Sequence, residues 1–243
     1  MRTHFILSRR KAILGALGGA GLGLMAGLPR SSLAASGARP TPRLNASEAL
    51  NSLMAGNARY VANQPNALSY VPGRAALTTG QSPFAIILSC ADSRITPEFA
   101  FDQRPGDLFV TRVAGNYVTV DSLATIEYGV EFLGSSLIMV LGHTSCGALS
   151  AAVEVARNAT VLPGSLPKLV AQVIPAVERV KAEKGMLPPA EMAAASIIEN
   201  VRENVMRLRT AAPLLSHYAE RGEINVVGGL YHLGTGQVEI IGA

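Results

Sequence analysis

Apolar residues fall along this chain in two rhythms. Unbroken apolar runs at residues 84–88 and 137–141 predict strands covered on both faces, which need no polar alternation. Residues 107–113 alternate instead, with Leu108 and Val110 on one side, and predict a second strand between those two. Ala49, Leu50, Leu53, Met54 and Tyr60 recur at helical spacing after Asn45 or Ser47, either of which can cap, so one helix is expected to about residue 63. Leu123, Ile126, Tyr128 and Val130 mark another, from Asp121 or Ser122 through Phe132, with Gly134 closing it. Further on come a small-residue helix at 148–157 and amphipathic helices at 167–184 and 190–208, parted by Gly185, Pro188 and Pro189. Strands are expected again at 224–228 and 237–241, joined through the turn at 234–236. Strands separated by helices predict an α/β fold, with a mostly parallel central sheet of four to five strands flanked by helices and a final antiparallel hairpin.

Composition adds that the chain can fill such a fold. Of its 243 residues 49% are hydrophobic and 16% charged, which suits one substantial domain over residues 45–243. The net charge of +4 would favour an anionic partner if it were spread over the chain, but it is not. Five of the 21 basic residues (Arg2, Arg9, Arg10, Lys11, Arg30) lie in residues 1–35, which hold no acidic group, leaving 16 against 17 acidic ones. The body is near neutral, so no nucleic-acid partner is expected. Residues 1–35 read as an export signal: Arg9, Arg10 and Lys11 precede a Gly-rich apolar run over 12–28, followed by small residues suited to cleavage. The arginine pair is similar to a twin-arginine signal, and predicts a periplasmic protein with no stable membrane insertion once the signal is removed. An ordinary secretory signal and an uncleaved anchor are the alternatives. Residues 36–44, rich in Pro and small side chains, predict a linker, either a flexible arm or a strap on a partner's surface.

The candidate chemistry sits just beyond two of the expected strands. Ser89-Cys90-Ala91-Asp92-Ser93-Arg94 follows the first, and His143-Thr144-Ser145-Cys146-Gly147 follows the third. Ligands of open α/β sheets bind at the carboxyl ends of strands. Cys90, His143 and Cys146 could hold zinc, leaving a fourth tetrahedral position for water or a nearby carboxylate. A disulfide or two inert buried thiols is the other reading of the two cysteines, and export makes a disulfide the default use. That reading leaves Asp92, Arg94 and His143 without a task. His217 and His232 read as surface or structural histidines, with a proton-relay role as the alternative.

These two motifs resemble the signatures of the β-class carbonic anhydrases. The likeness continues through Phe101-Asp102-Gln103, residues 106–110 and 112–116, and Gly228-Gly229-Leu230-Tyr231, covering the chain from about residue 45 onward. The resemblance implies the β-carbonic anhydrase fold and reversible hydration of carbon dioxide to bicarbonate and a proton through zinc-bound hydroxide. In carbonic anhydrases with three histidine ligands zinc brings the pKa of water from 15.7 to about 7; two thiolates donate more charge and should make the bound water less acidic. Asp92, kept ionised by Arg94, would accept a hydrogen bond from that hydroxide and orient it. Asp92 is also a candidate fourth ligand in a closed form, and a plain salt bridge is the bland reading of the pair. The resemblance further implies a homodimer or homotetramer and a small apolar pocket made by Val113, Gly147 and Gln103, although Gln103 is offset by one position from the plant-type pattern. Members with a non-catalytic bicarbonate site use a Trp, an Arg and a Tyr; Arg112 and Tyr231 match, but Ile87 stands where the Trp would be, so bicarbonate inhibition there should be weak or absent. A carbonyl sulfide or carbon disulfide hydrolase, and a non-catalytic zinc- or bicarbonate-binding protein, are the other functions that fit these motifs.

Overall fold

In a computed structural model of the chain, residues 39–66, 74–75 and 77–242 are described. The expected leader, residues 1–35, lies outside the described residues. In chain order the elements are α1 (Ala46–Val61), β1 (Ala85–Ser89), α2 (Pro97–Ala100), β2 (Leu108–Arg112), α3 (Val120–Glu131) and β3 (Leu137–His143). They continue with α4 (Gly147–Asn158), α5 (Leu166–Val170), α6 (Ile174–Lys184), α7 (Pro189–Arg209), α8 (Leu214–Glu220), β4 (Asn225–Tyr231) and β5 (Val238–Ile240).

The strands form one sheet in the order β2-β1-β3-β4-β5; the first four are parallel, and β5 runs antiparallel to β4. β1 and β3 are buried along their whole length because both faces are covered. Ile86, Leu88, Ile138 and Val140 belong to one apolar cluster with α3, α4, α6 and α7. Ala85, Ile87, Leu137, Met139 and Leu141 face the other way, onto α1 and α2. Cys90 continues the parity of Ile86 and Leu88 and enters the first cluster, where Cys146 also lies. At Gly142 a β-carbon would come within 2.7 Å of Val201, so the glycine lets α7 rest directly on the end of β3.

Local signals act largely as expected, with five departures. Asn45 starts α1 through a capping box, its side chain accepting from the Glu48 N–H while the Glu48 carboxylate accepts from the Asn45 N–H. α3 is capped by Thr119 paired with Ser122 in the same way, two to three residues ahead of the expected start. The helix expected over 167–184 is two, α5 and α6. Pro175 lacks an N–H, and its ring opposes the carbonyl four residues back, so the chain turns and restarts. α8 was not expected, and β4 extends three residues beyond the expected strand. Finally, residues 39–44 run against this chain's own body. Arg39, nearly buried, donates to the Val130 and Ser135 carbonyls at 2.9 and 2.7 Å and lies 3.7 Å from the Glu223 carboxylate. Among the described residues no helix is long and apolar enough to cross a membrane.

Candidate metal centre

The chain passes from β1 to β2 on one side of the sheet, while β3 lies on the other side of β1. A crevice therefore opens between the loops that follow β1 and β3, at the switch point where parallel sheets collect ligands. Into it project Cys90, His143 and Cys146, all buried, with their two sulfurs and an imidazole nitrogen all within 4.8 Å of one another. Among the described residues this is the one such grouping of potential metal ligands.

Each ligand atom is placed by an identifiable contact. His143 ends β3, and its Nδ1 lies 2.9 Å from the Thr144 carbonyl, which fixes the tautomer as Nδ1–H and turns a bare Nε2 toward the sulfurs. Ser145 takes a left-handed φ of +57°, the turn that lets His143 and Cys146, three residues apart, face one point. Cys146 is the N-cap of α4, close to the first amides of that helix. Cys90 Sγ accepts a 3.3 Å hydrogen bond from the Gly115 N–H.

Both cysteines are free thiols, so the disulfide reading is not met in this structure. Held side by side, the two thiols are driven apart in acidity. The hydrogen bond from Cys146 pulls the Cys90 thiol down to about 4, and its partner role together with burial pushes Cys146 up. Burial lowers the His143 pKa, but the nearby Cys90 sulfur, with the Thr144 carbonyl and Asp92, outweighs it and the net shift is upward. His143 Nε2 is fully buried and has no hydrogen-bond partner. Such an atom costs about 1–3 kcal/mol if left unsatisfied. A divalent cation would draw charge from both sulfurs and engage the bare nitrogen at once, so these residues fit a metal ion.

Beside the cluster stands an ion pair. Arg94 grips Asp92 with both arms of its fork, Nε to Oδ1 at 2.9 Å and Nη2 to Oδ2 at 2.7 Å, and its backbone N–H adds a third bond. That grip holds the Asp92 carboxyl well below the usual carboxylate range. Asp92 Oδ2 also lies 3.8 Å from His143 Nε2, so the carboxylate borders the cluster while facing Arg94. The pair is asymmetric in exposure, the Asp92 side chain 16% exposed and Arg94 54%.

The expected pocket residues divide. Val113 flanks the Cys90 loop, exchanging hydrogen bonds with Ser89 and Ala91 at 3.1 and 3.3 Å. Gly147 is exposed at the start of α4, with nothing within 4 Å of where a β-carbon would stand, so space is open next to Cys146. Gln103 is not brought to this cluster: its amide is bonded to the Phe101 carbonyl at 2.7 Å, and it lines a cavity of about 400 Å3 with Tyr60 and Asp102. Arg112 donates to the carbonyls of Cys90, Asp92 and Ile95 at 2.8, 2.7 and 2.9 Å, clamping the loop that carries Cys90. Neither His217 nor His232 joins the cluster. His217 meets Arg221, and His232 meets Glu239 while lining a cavity of about 450 Å3 that borders Thr144 and Ser145. A wider cavity of about 580 Å3, between α6 and α7, holds surface ion pairs such as Arg179 with Glu203 and none of the metal-ligating residues.

Sequence reasoning passed over Asn200 and Asn204, buried on α7 behind the Gly115 loop. A signal was present. At four-residue steps, Met192, Ser196, Asn200, Asn204 and Leu208 form one row whose ends are apolar, so its polar middle had to be buried as well.

A family model described as carbonic anhydrase matches residues 85–238. The carbonic anhydrase of Mycolicibacterium smegmatis is 36% identical over 200 residues, 82% of this chain and 95% of that protein. Among solved structures, the β-carbonic anhydrase CafA of Aspergillus fumigatus superposes with a TM-score of 0.63 at 26% identity, covering 80% of this chain and 89% of that one. The tetrameric β-carbonic anhydrases of Sordaria macrospora share the fold, with a TM-score of 0.63 at 24% identity over 81% and 95% of the two chains.

Proposed function

The chain belongs to the β-class carbonic anhydrases, and on that premise we propose how its residues carry out the reaction and in what setting. The reaction is the zinc-dependent, reversible hydration of carbon dioxide to bicarbonate and a proton. Cys90 Sγ, Cys146 Sγ and His143 Nε2 hold zinc, whose borderline softness suits a mixed sulfur and nitrogen set. Zinc bound there supplies the Lewis acidity that makes a nucleophile from water near neutral pH. Asp92, ionised beside the cluster, would accept a hydrogen bond from the attacking water oxygen and so orient its lone pair toward the substrate carbon. Arg94 keeps Asp92 ionised and fixed in direction, since a bidentate guanidinium leaves the carboxylate little rotation. The open space beside Gly147, next to Val113, takes a small linear substrate. In a closed form Asp92 would leave Arg94 for the metal; the paired arrangement is the one described above.

The observation that carries this reading is the buried, partnerless Nε2 of His143 facing two cysteine sulfurs, all three atoms within 4.8 Å of one another. The intact Asp92–Arg94 pair and the named relatives favour carbon dioxide hydration over a carbonyl sulfide or carbon disulfide hydrolase and over a binding-only protein. Metal analysis with stopped-flow hydration tests it. The expected result is about one zinc per chain and rapid hydration, whereas a metal-free protein with Cys90 bonded to Cys146 would overturn it.

The setting is an oligomer. β2 is one edge of the sheet, and beside it Phe109, Tyr128 and Phe132 form an aromatic strip with ring centroids 6.2 and 5.3 Å apart, Tyr128 and Phe132 being exposed. The tetrameric relatives support the same assembly here, and light scattering checks it. Export to the periplasm rests on the arginine pair and apolar run of residues 9–28, and cell fractionation tests it.

A further inference from the structure

The loop that donates to Cys90 Sγ, residues 113–118, belongs to no helix or strand. What holds it is α7. Asn200 Nδ2 donates to the Gly115 carbonyl at 2.8 Å, and Asn204 Oδ1 accepts from the Val118 N–H at 2.7 Å. Asn204 Nδ2 then donates back to the Asn200 carbonyl and side-chain oxygen at 2.8 and 3.2 Å, locking the two amides together. From the opposite side Gly115, at φ +89°, is pressed so closely that a β-carbon would meet Val173 and Ala148 at 3.1 and 3.2 Å. Buried amides are costly unless satisfied, and a helix that merely packed would carry aliphatic residues at these positions, as it does one step on at Val201 and Val205.

We propose that Asn200, braced by Asn204, is a positioning residue for the metal centre: it holds Gly115 so that the Gly115 N–H stays aimed at Cys90 Sγ. The inference rests on the zinc reading above. An N–H given to a metal thiolate withdraws charge from sulfur, so a set with two thiolates keeps more of the metal's Lewis acidity, and it fixes the sulfur's direction, which slows release of the metal.

The test compares wild type, Asn200→Ala, Asn204→Ala and Val205→Ala, the last a packing change on the same helix outside the ladder. Each is loaded with zinc to follow its release to excess chelator, and with cobalt(II) to record the thiolate-to-metal charge-transfer band. Asn200→Ala should release zinc about 10- to 100-fold faster, with a shifted band. Asn204→Ala should move both readouts the same way by less. Val205→Ala should keep the wild-type rate and band whatever its thermal stability. If Asn200→Ala does not fold, Asn204→Ala carries the test alone. Asparagine variants with the rate and band of wild type or of Val205→Ala overturn the inference while leaving the zinc reading intact, and a wild type that takes up no metal overturns both.

Discussion

The two strand ends that supply the metal ligands are built differently. After β3 most of the work is local: one left-handed residue, Ser145, turns the chain and the next caps α4, with one added tie from the neighbouring β4, whose Tyr231 carbonyl accepts the Thr144 N–H at 3.0 Å. After β1 little local holds Cys90 beyond the Ser89 hydroxyl, which donates to its carbonyl at 3.1 Å. Its carbonyl is gripped by Arg112, its sulfur by Gly115, and the residue after it by Val113, all more than twenty residues away. One end brings its geometry in its own few residues; the other borrows it from β2 and, through Asn200, from α7. Changes elsewhere in the fold should therefore disturb Cys90 before they disturb His143 or Cys146.

The largest effect should erase that contrast. Cys90→Ser, His143→Ala and Cys146→Ser each remove one of three ligands, and each should lose stoichiometric zinc by metal analysis and hydrate carbon dioxide no faster than buffer. A variant that kept full zinc would show the two ends to be unequal as ligand donors, not merely as scaffolds. Next comes the pair beside the metal. Asp92→Asn should keep zinc yet lower turnover by roughly 10²-fold, the scale on which misdirecting a reacting group costs rate. Arg94→Lys should cost less, because an ammonium keeps the charge but not the two-pronged grip. With its pKa depressed by Arg94, Asp92 contributes its full pairing stability above the ordinary carboxylate pKa of about 3.9 and loses it only as pH falls through the lower folded value. An acid unfolding curve should show that contribution in wild type and not in Asp92→Asn.

The same contrast governs how much of the molecule is legible in its sequence. β1, β3 and the hairpin are legible because apolar runs and turn residues are local signals, and so are the three ligands, whose types and strand-end positions name a metal directly. The break between α5 and α6 is equally local, since Pro175 forbids a continuous helix, but amphipathic spacing on either side masks it. What stays hidden is relational. No property of Arg112 alone says that its guanidinium will be spent on three carbonyls, or of Asn200 that it supports a glycine 85 positions away. The arm at Arg39 is the same case: a Pro-rich stretch reads as linker, and only the body it meets makes it a strap.

Arg112 gives the third test, intermediate in size. Arg112→Met leaves three carbonyls without a charged donor, at about 1.5–3 kcal/mol for a single such bond, and less than the sum because the loop can relax toward water. A loss of about 3 kcal/mol in urea unfolding is expected, with zinc binding weakened through Cys90 while the turn at Ser145 is unaffected. Wild type should in turn show little inhibition by bicarbonate, because Arg112 is already engaged and Ile87 offers no polar group beside it. A crystal with bicarbonate bound against Arg112 would mean that the clamp opens, and that the end of β1 is a switch where the end of β3 is not.

The smallest effect lies at the local end. A non-glycine residue in the left-handed region costs about 1–2 kcal/mol, whereas glycine would give back about 0.5–1 kcal/mol through its greater freedom in the unfolded chain. Ser145→Gly should therefore raise stability by less than about 1 kcal/mol, and Ser145→Val, β-branched and strained at φ +57°, should lower it. The carbonyl that accepts the Arg94 bond at 3.2 Å belongs to the backbone and survives both changes, so zinc content should hold in the glycine variant. If Ser145→Gly instead melted earlier than wild type, the hydroxyl rather than the turn would be holding the two ligands together. The end of β3 would then depend on side-chain contacts as much as the end of β1 does.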